Sequence, residues 1–178
     1  VIADNNDNGT ETLQVTDTIL VNEADIVGGG TGDIIDIDAD ITTTGSNLTM
    51  QNAATVQIDA SAARTLTSAS ALNMNTNIGS ISLDGGPSLV TLTTGGAGDV
   101  NIGADLSATS EAPLTINGRD IQTAGVDLSN SATTGGTLSV NVDSGTAGAF
   151  DWQINGDVEA GSVDVNGTGA NDTVDFIG

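Results

Sequence analysis

Apolar residues recur along this chain at every second position, in short groups, almost from end to end. The pattern appears at Leu13-Gln14-Val15, Ile35-Asp36-Ile37, Leu48-Thr49-Met50, Val56-Gln57-Ile58, Leu72-Asn73-Met74, Ile81-Ser82-Leu83 and Val90-Thr91-Leu92. It returns at Val100-Asn101-Ile102, Leu114-Thr115-Ile116, Val126-Asp127-Leu128, Leu138-Ser139-Val140-Asn141-Val142, Trp152-Gln153-Ile154, Val163-Asp164-Val165 and Val174-Asp175-Phe176. In an extended segment, a period of two puts the apolar side chains on one face and the polar ones on the other. Each group therefore predicts a β-strand of about three to five residues. Gly, Asn, Asp and Ser between the groups supply the turns. No window carries the i, i+3, i+4, i+7 spacing of an amphipathic helix.

Strands this short and this closely spaced, mostly about six to ten residues apart, point to an all-β chain coiled as a parallel β-helix, that is, a β-solenoid. A sandwich has longer strands and a core rich in aromatics, whereas the aromatics here are Phe150, Trp152 and Phe176 alone. The alternative fold is a β-sandwich subunit that polymerises by donating a strand. A local frame, apolar-x-small-Asp-apolar, recurs at Ile37–Ile41, Ile102–Leu106 and Ile154–Val158. Versions one residue longer occur at Val21–Ile26 and Ile116–Ile121. Asp after a small residue suits a corner, because its carboxylate bonds nearby backbone and it tolerates unusual dihedrals. Three strands per coil predict about 20 to 29 residues per coil and roughly six to nine coils. Residues 1–178 are expected to form a single solenoid segment of a longer chain or filament, since Val1 is neither an initiator methionine nor part of a signal peptide.

Composition narrows the function. There are 24 acidic side chains against two basic ones, and no His, Cys, Lys or Tyr. The usual general bases, covalent nucleophiles and transition-metal ligands are thus largely missing. A formal charge of −22 repels phosphate backbones and anionic membranes, so neither nucleic acid nor a membrane surface is an expected partner. No apolar run approaches the roughly 18 residues a spanning helix needs. High net charge is also a mark of disorder, but 37% of the residues are apolar and they are placed regularly.

The stretch Gly98-Asp99-Val100-Asn101-Ile102-Gly103-Ala104-Asp105-Leu106-Ser107-Ala108-Thr109, followed by Leu114-Thr115-Ile116-Asn117-Gly118-Arg119-Asp120-Ile121, resembles the repeats of filamentous-haemagglutinin-type exoproteins and related giant bacterial surface proteins. Residues 95–128 carry most of the likeness, and 32–58 and 151–165 a weaker form. The resemblance implies a right-handed parallel β-helix in a secreted or surface-anchored adhesive fibre. The expected partners are then other copies or neighbouring repeats, with host or cell-surface glycans as a second class. The family's amino-terminal secretion domain is not visible in this sequence.

Calcium is the one cofactor the residues suggest, because hard cations take carboxylate and carbonyl oxygens. Gly28-Gly29-Gly30-Thr31-Gly32-Asp33-Ile34-Ile35-Asp36 resembles the repeats-in-toxin nonapeptide, with Thr31 in place of its third glycine. Gly167-Thr168-Gly169-Ala170-Asn171-Asp172-Thr173-Val174-Asp175 matches less well. Asp33, Asp36, Asp172 and Asp175 are the candidate ligands on this resemblance. The plainer reading is glycine-rich turns that close a coil. Alternation also places Asp36, Asp38 and Asp40 on one outer face ~7 Å apart, where each adjacent pair costs about 0.6 kcal/mol in water. Divalent ions or high salt would relieve that repulsion.

Catalysis has one scheme, a calcium-assisted polysaccharide lyase with Arg64 or Arg119 as base. Arg64 has no acidic neighbour in Ala62-Ala63-Arg64-Thr65, and Arg119 is expected to pair with Asp120 or with an adjacent coil. The glycine-rich stretches lack the lysine of a phosphate loop. Glycosylation sequons stand at Asn8, Asn47, Asn166 and Asn171. Together these readings favour a non-enzymatic structural segment of an extracellular fibre, adhesin or surface-layer protein. A calcium-dependent assembly or binding module is the alternative, and a β-helix lyase the remote one.

Overall fold

The computed structural model describes residues 9–30, 32–95, 98–129, 135–142, 151–167 and 172–177. In chain order its strands are β1 (Thr12–Val15), β2 (Ile19–Val21), β3 (Ala24–Val27), β4 (Ile34–Ile37), β5 (Ile41–Thr43), β6 (Leu48–Asp59), β7 (Arg64–Ser68), β8 (Leu72–Asp84), β9 (Val90–Thr94) and β10 (Val100–Ile102). They continue with β11 (Leu106–Ala108), β12 (Leu114–Gly118), β13 (Ile121–Thr123), β14 (Val126–Asp127), β15 (Thr137–Val142), β16 (Asp151–Ile154), β17 (Val158–Glu159), β18 (Ser162–Gly167) and β19 (Thr173–Phe176). There is no helix among the described residues.

The strands fall on three faces. The first holds β1, β4, the second halves of β6 and β8, then β11, β14 and β17. The second is a 7-stranded sheet of β2, β5, β7, β9, β12, β15 and β18. The third holds β3, the first halves of β6 and β8, then β10, β13, β16 and β19. Successive segments visit the faces in that order and return one coil higher, pairing in parallel on every face. The molecule is a β-solenoid of about six turns. Parallel pairing throughout the described residues leaves no place for the sandwich alternative.

Alternation creates the core. On the first face, Leu13, Ile35, Val56, Ile81, Leu106, Val126 and Val158 stack in one inward column. Ile19, Ile41, Leu66, Leu92, Ile116, Val140 and Val165 stack on the second. Ala24, Leu48, Leu72, Val100, Ile121, Trp152 and Val174 stack on the third. Apart from Val165 and Val174 in the last coil, these columns merge into one continuous cluster, and each fully buried aliphatic contributes about 1.5–3 kcal/mol. Only near-isosteric branched side chains repeat every ~4.8 Å without voids or clashes, which is why Val, Ile and Leu dominate. Trp152 is accommodated between Ile121 and Val174, and its indole N–H donates to the Thr123 hydroxyl at 3.1 Å.

Three features depart from the expectation. β6 and β8 are 12 and 13 residues long because each turns the corner from the third face to the first without breaking. Asn52 (φ 55) and Asn77 (φ 51) make that bend in the left-handed region, which Asn tolerates better than most residues. The apolar-x-small-Asp-apolar frame marks corners in general and not one corner. Ile37–Ile41 joins the first face to the second, Ile116–Ile121 the second to the third, and Ile102–Leu106 the third to the first. Coil length is also more variable than expected, with in-register neighbours in adjacent coils from 20 residues apart (Leu106 and Val126) to 32 (Val126 and Val158).

Candidate functional site

The polar side chains fall into three groups. The first lies inside the core. Thr43, Ser68 and Thr94 occupy inward positions at the ends of β5, β7 and β9 and are buried. Each hydroxyl donates to a carbonyl of the turn that follows: Thr43 to Ser46 (2.7 Å), Ser68 to Ala71 (2.8 Å) and Thr94 to Gly98 (2.7 Å). The Ser68 oxygen also accepts the Leu48 N–H at 3.0 Å. The Ala71 and Gly98 carbonyls also accept the backbone N–H groups of Leu48 (3.1 Å) and Arg119 (2.8 Å), so there the hydroxyl adds a second bond, worth about 0.5–1.5 kcal/mol net.

The second group links neighbouring coils at corners. Asp40 Oδ1 accepts the Thr65 N–H (2.8 Å), Asn47 Oδ1 that of Ala71 (3.1 Å) and Asp105 Oδ1 that of Gly125 (2.9 Å). Asp99 Oδ1 accepts the Asp120 N–H (3.4 Å), and Asp120 Oδ1 in turn accepts the Asp151 N–H (3.1 Å). Four of the 20 aspartates thus act as coil-to-coil fastenings. Side-chain amides stack likewise on the outer surface. Asn166 donates to Asn141 (3.1 Å), Asn141 to Asn117 (2.7 Å), Asn101 to Asn73 (2.9 Å) and Asn77 to Asn52 (2.9 Å).

The third group is a crowd of carboxylates where the first face turns into the second. Asp59 is in register with Asp84, and Asp38 follows Ile37, the partner of Ile58, so the three acids form a column. Asp36 lies beside it on the outer face, and Gln14 Nε2 donates to both Asp36 Oδ2 (3.2 Å) and Asp38 Oδ2 (2.7 Å). Burial, and then the charges of Asp38 and Asp84, push the Asp36 carboxyl above its ordinary range. Burial, then Asp59 and Asp38, do the same to Asp84. Burial also works against the Asp59 carboxylate. There the Ser61 hydroxyl and N–H and the Arg64 guanidinium outweigh it and hold the carboxyl below its ordinary range.

Both arginines sit in ion pairs. Arg64 Nη2 lies 2.8 Å from Asp59 Oδ2, supplying an acidic partner absent from its immediate sequence. Arg119 bridges Asp99 of the coil below (2.9 Å) and Asp120 (3.5 Å), as its corner position suggested.

The four calcium candidates do not converge. Asp33 points inward just before β4 and is 2% exposed. Its Oδ1 accepts the Glu11 N–H at 3.1 Å, while Oδ2 is buried without a hydrogen-bond partner. Asp36 points outward in a column with Gln14, Gln57 and Ser82 and has no acid directly above or below it in these neighbouring coils. Asp175 lies on the third face of the last coil, in register with Gln153. Asp172, just before β19, packs against Gly167. Thr31 and residues 168–171 of the two nonapeptides lie outside the described residues. Among the described residues no group of three or more acids is arranged to hold a metal ion. The chain matches no protein-family model, no curated protein and no solved structure. Of the sequons, Asn47 is engaged in its corner bond, Asn166 is exposed, and Asn8 and Asn171 lie outside the described residues.

Two surface grooves lie beside these polar groups. One of about 460 Å³ lies along the Asn52 and Asn77 bends, with Ala53, Ala54 and Ile78 in its wall. The other, about 280 Å³, is polar and runs past Asp99, Asp120, Asp151, Asn101, Gln122 and Gln153. Sequence reasoning missed the buried hydroxyls and the carboxylate fastenings. The available signal was a Thr or Ser at the inward position that ends a strand, followed by a small residue, as in Thr43-Thr44-Gly45 and Thr94-Gly95.

Proposed function

We propose that this chain is a load-bearing rod segment of an extracellular fibre, adhesin or surface-layer protein, and that it is not an enzyme. One observation carries the reading: the distinctive polar side chains are engaged in holding coil to coil. Asp40, Asn47, Asp99, Asp105 and Asp120 fasten neighbouring corners, and both arginines are tied to carboxylates. A lyase base has to be free to meet its substrate, and these ion pairs argue against that role for either arginine. Location outside the cell rests on the resemblance of residues 95–128 to haemagglutinin-type repeats. An antibody raised against the folded chain is expected to label intact, unpermeabilised source cells. Labelling only after lysis refutes the extracellular part of the reading.

A second reading, calcium-dependent assembly, starts from the Asp36, Asp38, Asp59 and Asp84 crowd, whose charge divalent ions would screen from solution, since its acids form no coordination set. Far-ultraviolet circular dichroism in EDTA and then in millimolar calcium separates the two. An unchanged β signal and melting point support the rod held by its aliphatic core. A chain that folds only with calcium supports the second reading.

A further inference from the structure

We infer that the outward side of the second face binds ice. Its ladders align two outward columns along the rod. One runs through Thr65, Thr91, Thr115 and Ser139. The other, two residues further along each strand, runs through Thr42, Thr67, Thr93, Asn117 and Asn141. The six threonines thus form a grid that repeats every ~4.8 Å along the rod and every ~7 Å across it. Both spacings lie close to those at which oxygen atoms repeat on a prism face of hexagonal ice. A ligand that meets every hydroxyl of such a grid has to be rigid and periodic in two directions, which a dissolved molecule or a flexible chain is not. The grid lies on β5, β7, β9, β12 and β15, each of which has a paired strand on both sides.

Charge supports the same ligand. The chain carries 24 acids, yet none of the nine outward positions in these two columns is charged. The matching column of the first face holds Asp36, Asp127 and Glu159, and that of the third begins on Asp25 and ends on Asp175. Freezing water against a carboxylate strips its mobile shell, a cost that methyl and hydroxyl groups largely avoid.

The hydroxyls themselves are unengaged. Other outward hydroxyls bond a neighbour, as Thr55 does with Ser80 (3.2 Å) and Thr109 with the Leu83 carbonyl (3.3 Å). Among the described residues none of the six grid threonines uses its hydroxyl in this way, so each keeps a donor and an acceptor for water. Branching at Cβ restricts their rotamers, and the grid is therefore ordered in advance. A crystalline polysaccharide is also periodic, but aromatic faces are what grip a sugar ring, and no aromatic stands in these columns.

Nanolitre osmometry tests the inference, with millimolar calcium present so that any need of the fold for the ion is met. The wild-type chain is expected to hold the freezing point of a seed crystal below its melting point, to facet the crystal, and to be drawn into a growing ice front. Thr67→Lys/Thr91→Lys places bulk and charge at the centre of the grid without touching the core. It is expected to lose most of the freezing-point gap while its melting temperature by circular dichroism stays nearly unchanged. Each single substitution is expected to lose part of the gap, which keeps the test open should the pair unfold. Thr49→Lys makes the same change at an outward position of the third face and is expected to keep the gap. A folded wild-type chain that growing ice excludes overturns the proposal, as does a grid variant as active as wild type or a Thr49→Lys variant that loses as much. A folded chain that ignores ice and sediments with crystalline cellulose also overturns it, and would assign the face to a polysaccharide.

Discussion

Replacing Asp84 with Asn removes one charge from the Asp38, Asp59 and Asp84 column while keeping the side chain's size. Asp59 and Asp84 are in-register neighbours, and adjacent strands lie ~4.8 Å apart. In water, two unit charges at that distance repel by about 0.9 kcal/mol. Asp38, one coil further, adds about 0.4 kcal/mol before screening. Arg64 already offsets part of the Asp59 charge, so the expected stabilisation at pH 7 and low salt is about 0.5–1 kcal/mol. For a chain of this size that is a rise of roughly 1–4 °C in melting temperature. In 1 M NaCl the screening length falls to ~3 Å and most of the gain is expected to vanish. The pH profile has a definite sign. Burial and its acidic neighbours raise the Asp84 carboxyl in the folded state, so the folded chain keeps a proton that the unfolded chain releases. Wild-type stability therefore declines as pH rises from the ordinary carboxylate range through the raised value, and D84N flattens that decline. Thermal melts by circular dichroism at several pH values, in low salt and in 1 M NaCl, measure all of this. A variant less stable than wild type at low salt, or a gain that persists undiminished in 1 M NaCl, would refute charge crowding as the cause.

Three further outcomes are expected. Ser68→Ala removes a buried hydroxyl that bonds the Leu48 N–H and the Ala71 carbonyl, which keep their 3.1 Å bond to each other. It should cost about 0.5–1.5 kcal/mol in a urea titration; a loss below a few tenths would mean that the Leu48–Ala71 bond alone satisfies the corner. Trp152→Ala empties a fully packed third-face position and should cost about 3–5 kcal/mol by the same titration. Arg64→Gln removes the cation that helps hold the Asp59 carboxyl low. The variant should be less stable than wild type at pH 7, with the difference fading as pH falls through the depressed Asp59 range, because that stabilisation exists only while Asp59 is ionised. A deficit that stays constant down to pH 2 would assign Arg64 a packing role instead.

The alternation made the inward columns legible, since Leu, Ile and Val at every second position have one physical meaning in a short extended segment. Strands such as Ile41–Thr43, Leu106–Ala108 and Ile121–Thr123 escaped the same reading because one of their two inward positions is Thr or Ala. What buries those positions is a turn carbonyl or a neighbouring coil, neither of which is local in sequence. The Arg64 and Asp59 pair was hidden for a similar reason: the two residues stand on opposite sides of a corner. The acidic crowd was half visible. Asp36 and Asp38 follow from alternation, but Asp59 and Asp84 join them only through coil register, and coils of unequal length give no fixed period from which to read it.

The ladders that join the coils have a mechanical meaning as well. Their hydrogen bonds point along the rod axis, so tension applied at the two ends of the chain opens them one rung at a time, as in peeling, and never shears a whole sheet together. A released coil of 20 to 32 residues gives roughly 70–110 Å of extended chain, against a rise of ~4.8 Å while folded. Under a sudden pull, such a segment lengthens in discrete steps of modest force and rewinds when the pull stops. In a tether, that turns the irregular lengths of its coils into a graded series of yield points.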